Sequence, residues 1–458
     1  MLTVKPTRQA LDSAKVGQRF LEYYQADGYE VIPGSSLLDP SVPMSFVMSA
    51  GLAQVETSAM LRGGRVGDRY ALLQNCFRYF DLVNVGESDI HLSLFQMPGA
   101  FTFGPVSKRD TIARIWGLLT KAYGFHPDSL WVTYFAGDEV AGHTFGPDLE
   151  TYQAWRRVGV PPDRIVGLGA EHNFWKQGAS VVGAEHVPKC GPNTEVFFDR
   201  GAHLSCGATC CPGCGCGRFV EFLNTLFITL HIDDDTAIVK PLEEPFTETV
   251  VGTERVAMLL QGASSVFEID SVQPLIEHVR DFTQAQALPV ADRIRHERIL
   301  VDHIRALLFL VADGAPPPGK GGRARLMRKL VREMLTSQKL LDIPDLAFIR
   351  SLVESTLGLY TDQHPRLSSA QNKLLEYVTD ERGRFERTLQ AGRRQLDRLL
   401  TRQGKRHISG EDMLDLEKRH GVPEPLLEVI LTQRQVRFSQ QAYRAAHARW
   451  RRAVVGAN

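Results

Sequence analysis

What this sequence lacks narrows it first. None of its apolar runs reaches the roughly 20 residues that a helix needs to cross a bilayer. Met1 to Ala26 is polar and has no apolar centre of the kind a secretory signal carries. Internal repeats and low-complexity tracts are missing, so a solenoid or a fibrous chain is excluded. Net charge is missing as well, since 53 Lys+Arg offset 53 Asp+Glu. Cysteine is scarce outside one cluster, which excludes a disulfide-stapled fold. These absences leave a soluble globular protein with no membrane partner, and the cytoplasm is its expected compartment.

What is present suits that class. A chain of 458 residues holds two or three domains. The hydrophobic fraction of 43% and charged fraction of 23% are ordinary, so composition points to no special environment. The zero charge is uneven, however. Residues 271–458 carry a basic excess and residues 1–270 an equal acidic one. A basic C-terminal half is what an RNA-binding appendage shows, and solvated helix faces show it too.

The most informative stretch runs from Leu73 to Gly86 and resumes from His91 to Gly104. Two apolar, aromatic-rich segments flank a short polar loop, which predicts an antiparallel strand pair. Arg78 ends the first segment and Phe95 lies centrally in the second. A guanidinium forks onto phosphate oxygens and an aromatic plane stacks on a purine, so the pair suits a nucleotide triphosphate. By spacing alone, an ordinary sheet core with one edge arginine is the preferred reading.

Along the chain, apolar residues at helical spacing predict a helix over Ala10–Ala26, then a strand at Tyr29–Pro33. Asp110–Ala122 reads as a helix with Ile112, Ile115, Trp116, Leu118 and Leu119 as its buried stripe. Trp131–Ala136 reads as a strand, and Tyr152–Val158 as a short helix. From Ile294 the chain turns helical, with a loop at Pro316–Gly322 and a basic helix from Arg323 to Leu335. Three more helical stretches are expected near Asp345–Leu357, Ser368–Leu400 and Gly410–Arg451, the last broken at Gly421 and Pro423.

Five cysteines crowd into Cys206–Cys216, within an insert spanning 203–217. In an intracellular chain such density argues for a metal. Thiolates are soft ligands, and four around zinc close a tetrahedral structural site with no open position for catalysis. The expected ligands are Cys206, Cys210, Cys214 and Cys216, with Cys211 spare; which four of the five close the shell stays open. The interspersed glycines permit the tight chelating turns.

The central stretch resembles motif 2 of a class II aminoacyl-tRNA synthetase, specifically the alanyl-tRNA synthetase family. The likeness rests on Cys76, Arg78, Asp81, Leu82, Asn84-Val85-Gly86, His91, Phe95, Met97, Gly99, Phe101 and Phe103-Gly104. Further matches follow in order over nearly the whole chain. The N-terminal helix, strand and Pro33 resemble motif 1, and Asp39-Pro40 with Phe46–Leu52 resembles the next strand. Glu171–Gly178, Cys190–Asp199 and Arg218–Phe227 resemble core segments. Thr247–Arg255 resembles motif 3, and Arg298–Ala306 with Val311–Gly314 resembles the start of a helical tRNA-recognition domain.

The resemblance implies an α+β fold: an antiparallel β-sheet core flanked by helices over 1–270, then an all-α domain over 271–458. It implies that an amino-acid carboxylate attacks the α-phosphorus of ATP, giving an aminoacyl-adenylate that is passed to tRNA. Arg78 would hold the α-phosphate and carboxylate, Arg255 the γ-phosphate, and Phe95 the adenine, with His91 and Gly252 completing the ATP site. Trp175 would wall a small amino-acid pocket, Asn224 and Met97 would face the substrate, and Glu248 would bind its ammonium. Magnesium (Mg2+) would accompany ATP. No histidine and cysteine cluster of the editing type is present, so proofreading is not expected.

Several positions depart from the family pattern. Ile90 and Leu92 flank His91 where an arginine and a second histidine are usual, and Gln96 replaces a glutamate. Glu248 replaces an aspartate, and Gly321-Gly322 occupies the place of an asparagine that reads the acceptor stem. The loop at Tyr79-Phe80 is short, and the segment between Gly178 and Cys190 is long. Two alternatives to tRNA charging therefore stand: transfer to a carrier protein or small metabolite, and a catalytically silent RNA-binding or regulatory paralogue.

Overall fold

The computed structural model describes residues 11–39, 55, 68–105, 107–177, 189–232, 239–285, 288–344, 346–403 and 407–455. Pro40, the run Phe46–Leu52 and the long segment after Gln177 lie outside the described residues. The chain divides into two compact units, Met1–Pro274 and Leu275–Asn458.

Among the described residues of the first unit, nine strands join in one sheet. They are β1 (Glu30–Val31), β2 (Arg69–Phe77), β3 (Leu94–Phe103), β4 (Leu130–Phe135), β7 (Ile165–Leu168), β8 (Phe174–Lys176), β9 (Lys189–Asp199), β10 (Phe219–Ile232) and β11 (Val239–Val251). The spatial order is β1-β2-β3-β11-β10-β9-β4-β7, with β8 also on β9. A small hairpin, β5 (Asp138–Val140) with β6 (His143–Phe145), stands apart. The long central pairings are antiparallel, and only β1–β2 and β4–β7 run parallel. This is the α+β sheet core expected from the sequence.

Local sequence explains the flanking elements. Helix α1 (Ser13–Ala26) buries Val16, Phe20 and Tyr24, one per turn, against the sheet. It ends before Gly28, whose φ of +86° suits glycine alone. Helix α2 (Lys108–Gly117) starts on Ser107, whose side chain accepts from the Asp110 N–H. Its expected continuation instead widens into a π-helical turn over Leu118–Tyr123, stopped by Gly124 at φ +80°. The widened turn still buries Leu118 and Leu119, so the apolar stripe is served without regular α geometry. Helix α3 (Leu149–Arg157) inserts fully buried Trp155, whose Nε1 donates to Thr194 on β9 at 2.9 Å.

The first aromatic segment is a strand only to Phe77. Beyond Arg78 it coils into a 3-10 turn over Tyr79–Val83, and the connection to β3 runs on to Ser93. Asp81 and Asn84 form the tight backbone bonds of this turn, which an extended strand would break.

The second unit is helical. After α4 (Ala170–Asn173) and α5 (Thr253–Gln261) of the first unit, and α6 (Gln273–Phe282) at the boundary, come α7 (Val290–Ala312), α8 (Gly322–Leu340), α9 (Leu346–Tyr360), α10 (Gln371–Gln403), α11 (Gly410–Lys418), α12 (Glu424–Gln433) and α13 (Gln440–Val455). Gly421 at φ +67° and Pro423 make the break anticipated between α11 and α12.

Candidate active site

A cavity of about 290 Å³ opens on one face of the central strands. Strand alternation builds it: Phe95 and Met97 on β3, Phe222, Asn224 and Leu226 on β10, and Glu248 and Val250 on β11 share the face. Trp175 on β8 adds a wall. Arg78 follows the end of β2, His91 lies in the β2–β3 connection, and Gly252 and Arg255 begin α5. Arg78, His91, Phe95, Met97, Trp175, Asn224, Glu248, Gly252 and Arg255 thus all line this one cavity. Residues from 78 to 255 in the sequence meet around one cavity.

At one end lie the two guanidiniums. That of Arg78 sits 5.0 Å from the centre of the Phe95 ring, and its Nη2 is 4.0 Å from Met97 Sδ. A purine stacks on Phe95 here only by taking the other ring face or displacing the guanidinium. Arg255 donates from Nε to the Ile90 carbonyl (3.2 Å) and from Nη1 to the Glu221 carbonyl (2.8 Å). It also stands 3.5 Å from the Glu221 carboxylate. His91 Nδ1 lies 2.6 Å from Ser88 Oγ. Burial and the nearby Arg255 and Arg78 cations push its pKa below the ordinary value, so the ring is neutral at pH 7. Gly252 donates its N–H to the Phe222 carbonyl, and a Cβ there would meet only the Arg255 side chain, at 3.8 Å.

At the other end Glu248 is 3% exposed, opposite Leu226 and Phe101 in the ladders. Trp175 pairs in register with Gly191 of β9. That glycine is obligatory, because a Cβ would sit 1.9 Å from the Phe227 carbonyl oxygen. Asn224 donates from Nδ2 to Glu195 (2.9 Å) and accepts at Oδ1 from Asn193 (3.1 Å).

Sequence reading assigned no role to Asp81, Glu221 or Glu254, which also line the cavity, nor to Glu195 just behind it. Their own place within the matching segments was the only signal. Gln96 does not line the cavity. It lies on the opposite face of β3, its N–H shared by both Glu254 oxygens (3.1 Å each) and its Oε1 accepting from Thr253 (3.1 Å).

The cysteine cluster closes the turn between β9 and β10. The sulfurs of Cys206, Cys210 and Cys216 lie within 4.8 Å of one another. Cys210 and Cys216 are 3.6 Å apart. Cys214 falls outside this trio, its sulfur accepting from the Cys211 N–H at 3.5 Å, yet it interacts with the Cys206 thiol. A hydrogen bond from the Cys206 backbone pulls the Cys210 thiol down to about 6, toward the thiolate that binds metal. Three converging sulfurs with a fourth adjacent are a donor set that suits zinc. Beneath them, Arg218 forks onto Asp199 at 2.8 and 2.7 Å and clamps the two strand ends.

With sheet, cavity and cysteine turn in view, comparison with known sequences defines the class. The chain belongs to the class II (A) tRNA synthetases, whose family model matches residues 15–454. Among its relatives are proteins named alanine–tRNA ligase. That of Thermoanaerobacter sp. (strain X514) is 28% identical over 95% of this chain and 48% of its own length. That of Rubrobacter xylanophilus is 32% identical, over 96% and 49%, and that of Methylobacillus flagellatus 31%, also over 96% and 49%. The chain spans about half the length of these relatives. The family read from the motifs is therefore the family the comparison returns.

Proposed function

We propose that the chain activates a small amino acid with ATP to an aminoacyl-adenylate and transfers the aminoacyl group to tRNA. One observation carries this: a single cavity holds two guanidiniums and an aromatic ring at one end, and a buried carboxylate beside a tryptophan at the other.

In this reading a carboxylate oxygen of the amino acid attacks the α-phosphorus. A new P–O bond forms, the bond to the β-phosphate oxygen breaks, and pyrophosphate departs with the electron pair. Arg78 faces the α-phosphate and the incoming carboxylate, and Arg255 the γ-phosphate. Both counter charge that grows in the transition state. His91, being neutral, orients rather than neutralises. Gly252, at the start of α5, lets backbone N–H groups approach the phosphates. Glu248 pairs with the substrate ammonium and Asn224 and Met97 border the side chain, while Trp175 excludes bulk. The Glu221 carboxylate beside Arg255 fits magnesium, which takes oxygen ligands and supplies further positive charge to the phosphates when bound. Cys206, Cys210, Cys216 and Cys214 would hold a structural zinc.

The basic excess of residues 271–458 supports tRNA as acceptor. One observation favours a second reading, with a carrier protein or small metabolite in that place. The connection Tyr79–Ile90 bears Asp81, Glu87 and Asp89 and no Lys or Arg, which repels a phosphodiester end.

Amino-acid-dependent ATP–pyrophosphate exchange tests the activation step, and acylation of total tRNA tests the acceptor. Exchange should respond to alanine, glycine or serine. Absence of exchange with every amino acid, or preference for leucine or phenylalanine, overturns the activation reading. Exchange without acylation of any tRNA transfers support to the second acceptor.

A further inference from the structure

Asn224 projects into the cavity, yet its amide is gripped from behind. Asn193, 3% exposed, donates from Nδ2 to Asn224 Oδ1 at 3.1 Å and to the His172 carbonyl at 3.3 Å. Glu195 accepts from Asn224 Nδ2 at 2.9 Å. Both gripping residues belong to β9, two positions apart and so on the same face. That strand is itself pinned: Thr133 Oγ1 accepts the Glu195 N–H (3.2 Å), and Asn173 donates to the Asn193 carbonyl (3.1 Å). Glu195 does not line the cavity.

An amide has two ends of opposite polarity and nearly identical shape, so packing alone does not choose its orientation. Here a donor faces one end and an acceptor the other. Turning Asn224 over would set N–H against N–H and oxygen against carboxylate, losing two buried hydrogen bonds at once. Each end keeps one unused valence, an N–H on Nδ2 and a lone pair on Oδ1.

We propose that Glu195 is a positioning residue for amino-acid binding: by accepting from Asn224 Nδ2, it fixes which end of that amide the substrate meets. The inference rests on the placement of the amino acid beside Asn224. Glu195 itself is half-buried. Burial and Glu221 raise its carboxyl to about 8, while Asn224 and Arg255 oppose that rise.

The test is a set of KM measurements by pyrophosphate exchange on Glu195→Ala, Glu195→Gln, Asn193→Ala, Asn224→Ala and the Glu195→Ala/Asn224→Ala double variant. Thermal unfolding checks that each is folded. Glu195→Ala should raise the amino-acid KM about tenfold, the loss of one partly buried hydrogen bond, and move the ATP KM far less. Glutamine still offers a carbonyl oxygen to Nδ2, so Glu195→Gln should restore most of the affinity. Asn193→Ala acts from the opposite end and should show the same split. In the Asn224→Ala background, Glu195→Ala should add nothing, because its target is gone.

A Glu195→Ala variant with unchanged amino-acid KM overturns the proposal if Asn224→Ala alone weakens the amino acid. Equal effects on ATP and amino acid, failure of glutamine to rescue, or additive single effects in the double variant also overturn it. If Asn224→Ala leaves the amino-acid KM unchanged, the placement of substrate beside Asn224 falls, and this inference with it.

Discussion

His303 offers a prediction whose size can be worked from the structure. It lies on α7 and is 1% exposed, with Nδ1 3.1 Å from Asp302 and Nε2 3.0 Å from Glu333 on α8. Burial alone would make the ring neutral, but hydrogen bonds and charge from the two carboxylates outweigh it and raise the pKa from 6.5 to about 9. A tenfold change in a proton equilibrium is worth about 1.4 kcal/mol, so the charged ring adds about 3 kcal/mol to folding. Because the folded value is the higher one, this contribution is fully present below pH 6.5 and is lost as pH rises through about 9. His296 and His364, both lowered to about 4, gain charge only in the unfolded chain as pH falls through about 6.5, and they do so equally in the native protein and a His303 variant, so they cancel from the difference between the two. Urea unfolding, followed by helical circular dichroism, should show the native protein more stable than His303→Gln by about 3 kcal/mol near pH 6. That advantage should vanish near pH 10. A difference between the two proteins that stays constant over the range would refute the charged-histidine account.

Three further outcomes follow from the same structure. Arg78→Ala and Arg255→Ala should each depress pyrophosphate exchange by about 3 kcal/mol or more of transition-state stabilisation, with the fold intact by circular dichroism; near-normal exchange would remove the assigned role. Purified protein should contain one zinc per chain by elemental analysis, and Cys210→Ser should lose it; a metal-free native protein would contradict the assignment. Gly191→Ala places a Cβ 1.9 Å from the Phe227 carbonyl, contact that backbone cannot relieve without parting β9 from β10. It should cost several kcal/mol, about 3 or more, in thermal or urea unfolding, and a native-like melting curve would show that the strands yield more easily than packing allows.

That the site residues would share one cavity was legible because they sit in short ordered motifs, and alternation along β3, β10 and β11 carries several of them to one face. Helices with one clean apolar stripe, such as α1 and α8, were equally plain. Legibility failed where tertiary contact decided. The turn at Tyr79–Val83 is made by backbone bonds that an aromatic run does not advertise. The widening after Gly117 keeps an apolar stripe that reads as ordinary helix. Glu195 and Asn193 act through Asn224, a relation that no spacing within one strand reveals. Nor does the sequence tell that Gln96 faces away from the cavity, since which face of a strand is occupied is decided by its neighbours. Cys214 stood in the expected ligand set by density alone, and the structure gathers the other three more tightly.

The sheet's order in space also bears on how the protein is made. Strand β3 lies between β2, its near neighbour in sequence, and β11, where Gly99 meets Val250 and Phe103 meets Phe246. During synthesis β3 therefore waits, with one edge of an apolar strand unpaired, until almost the whole first unit has been translated. An open strand edge of that kind templates pairing with other chains. Products truncated before Val239 should lack the partner that closes it and should aggregate, whereas chains that reach Val251 carry their own cover.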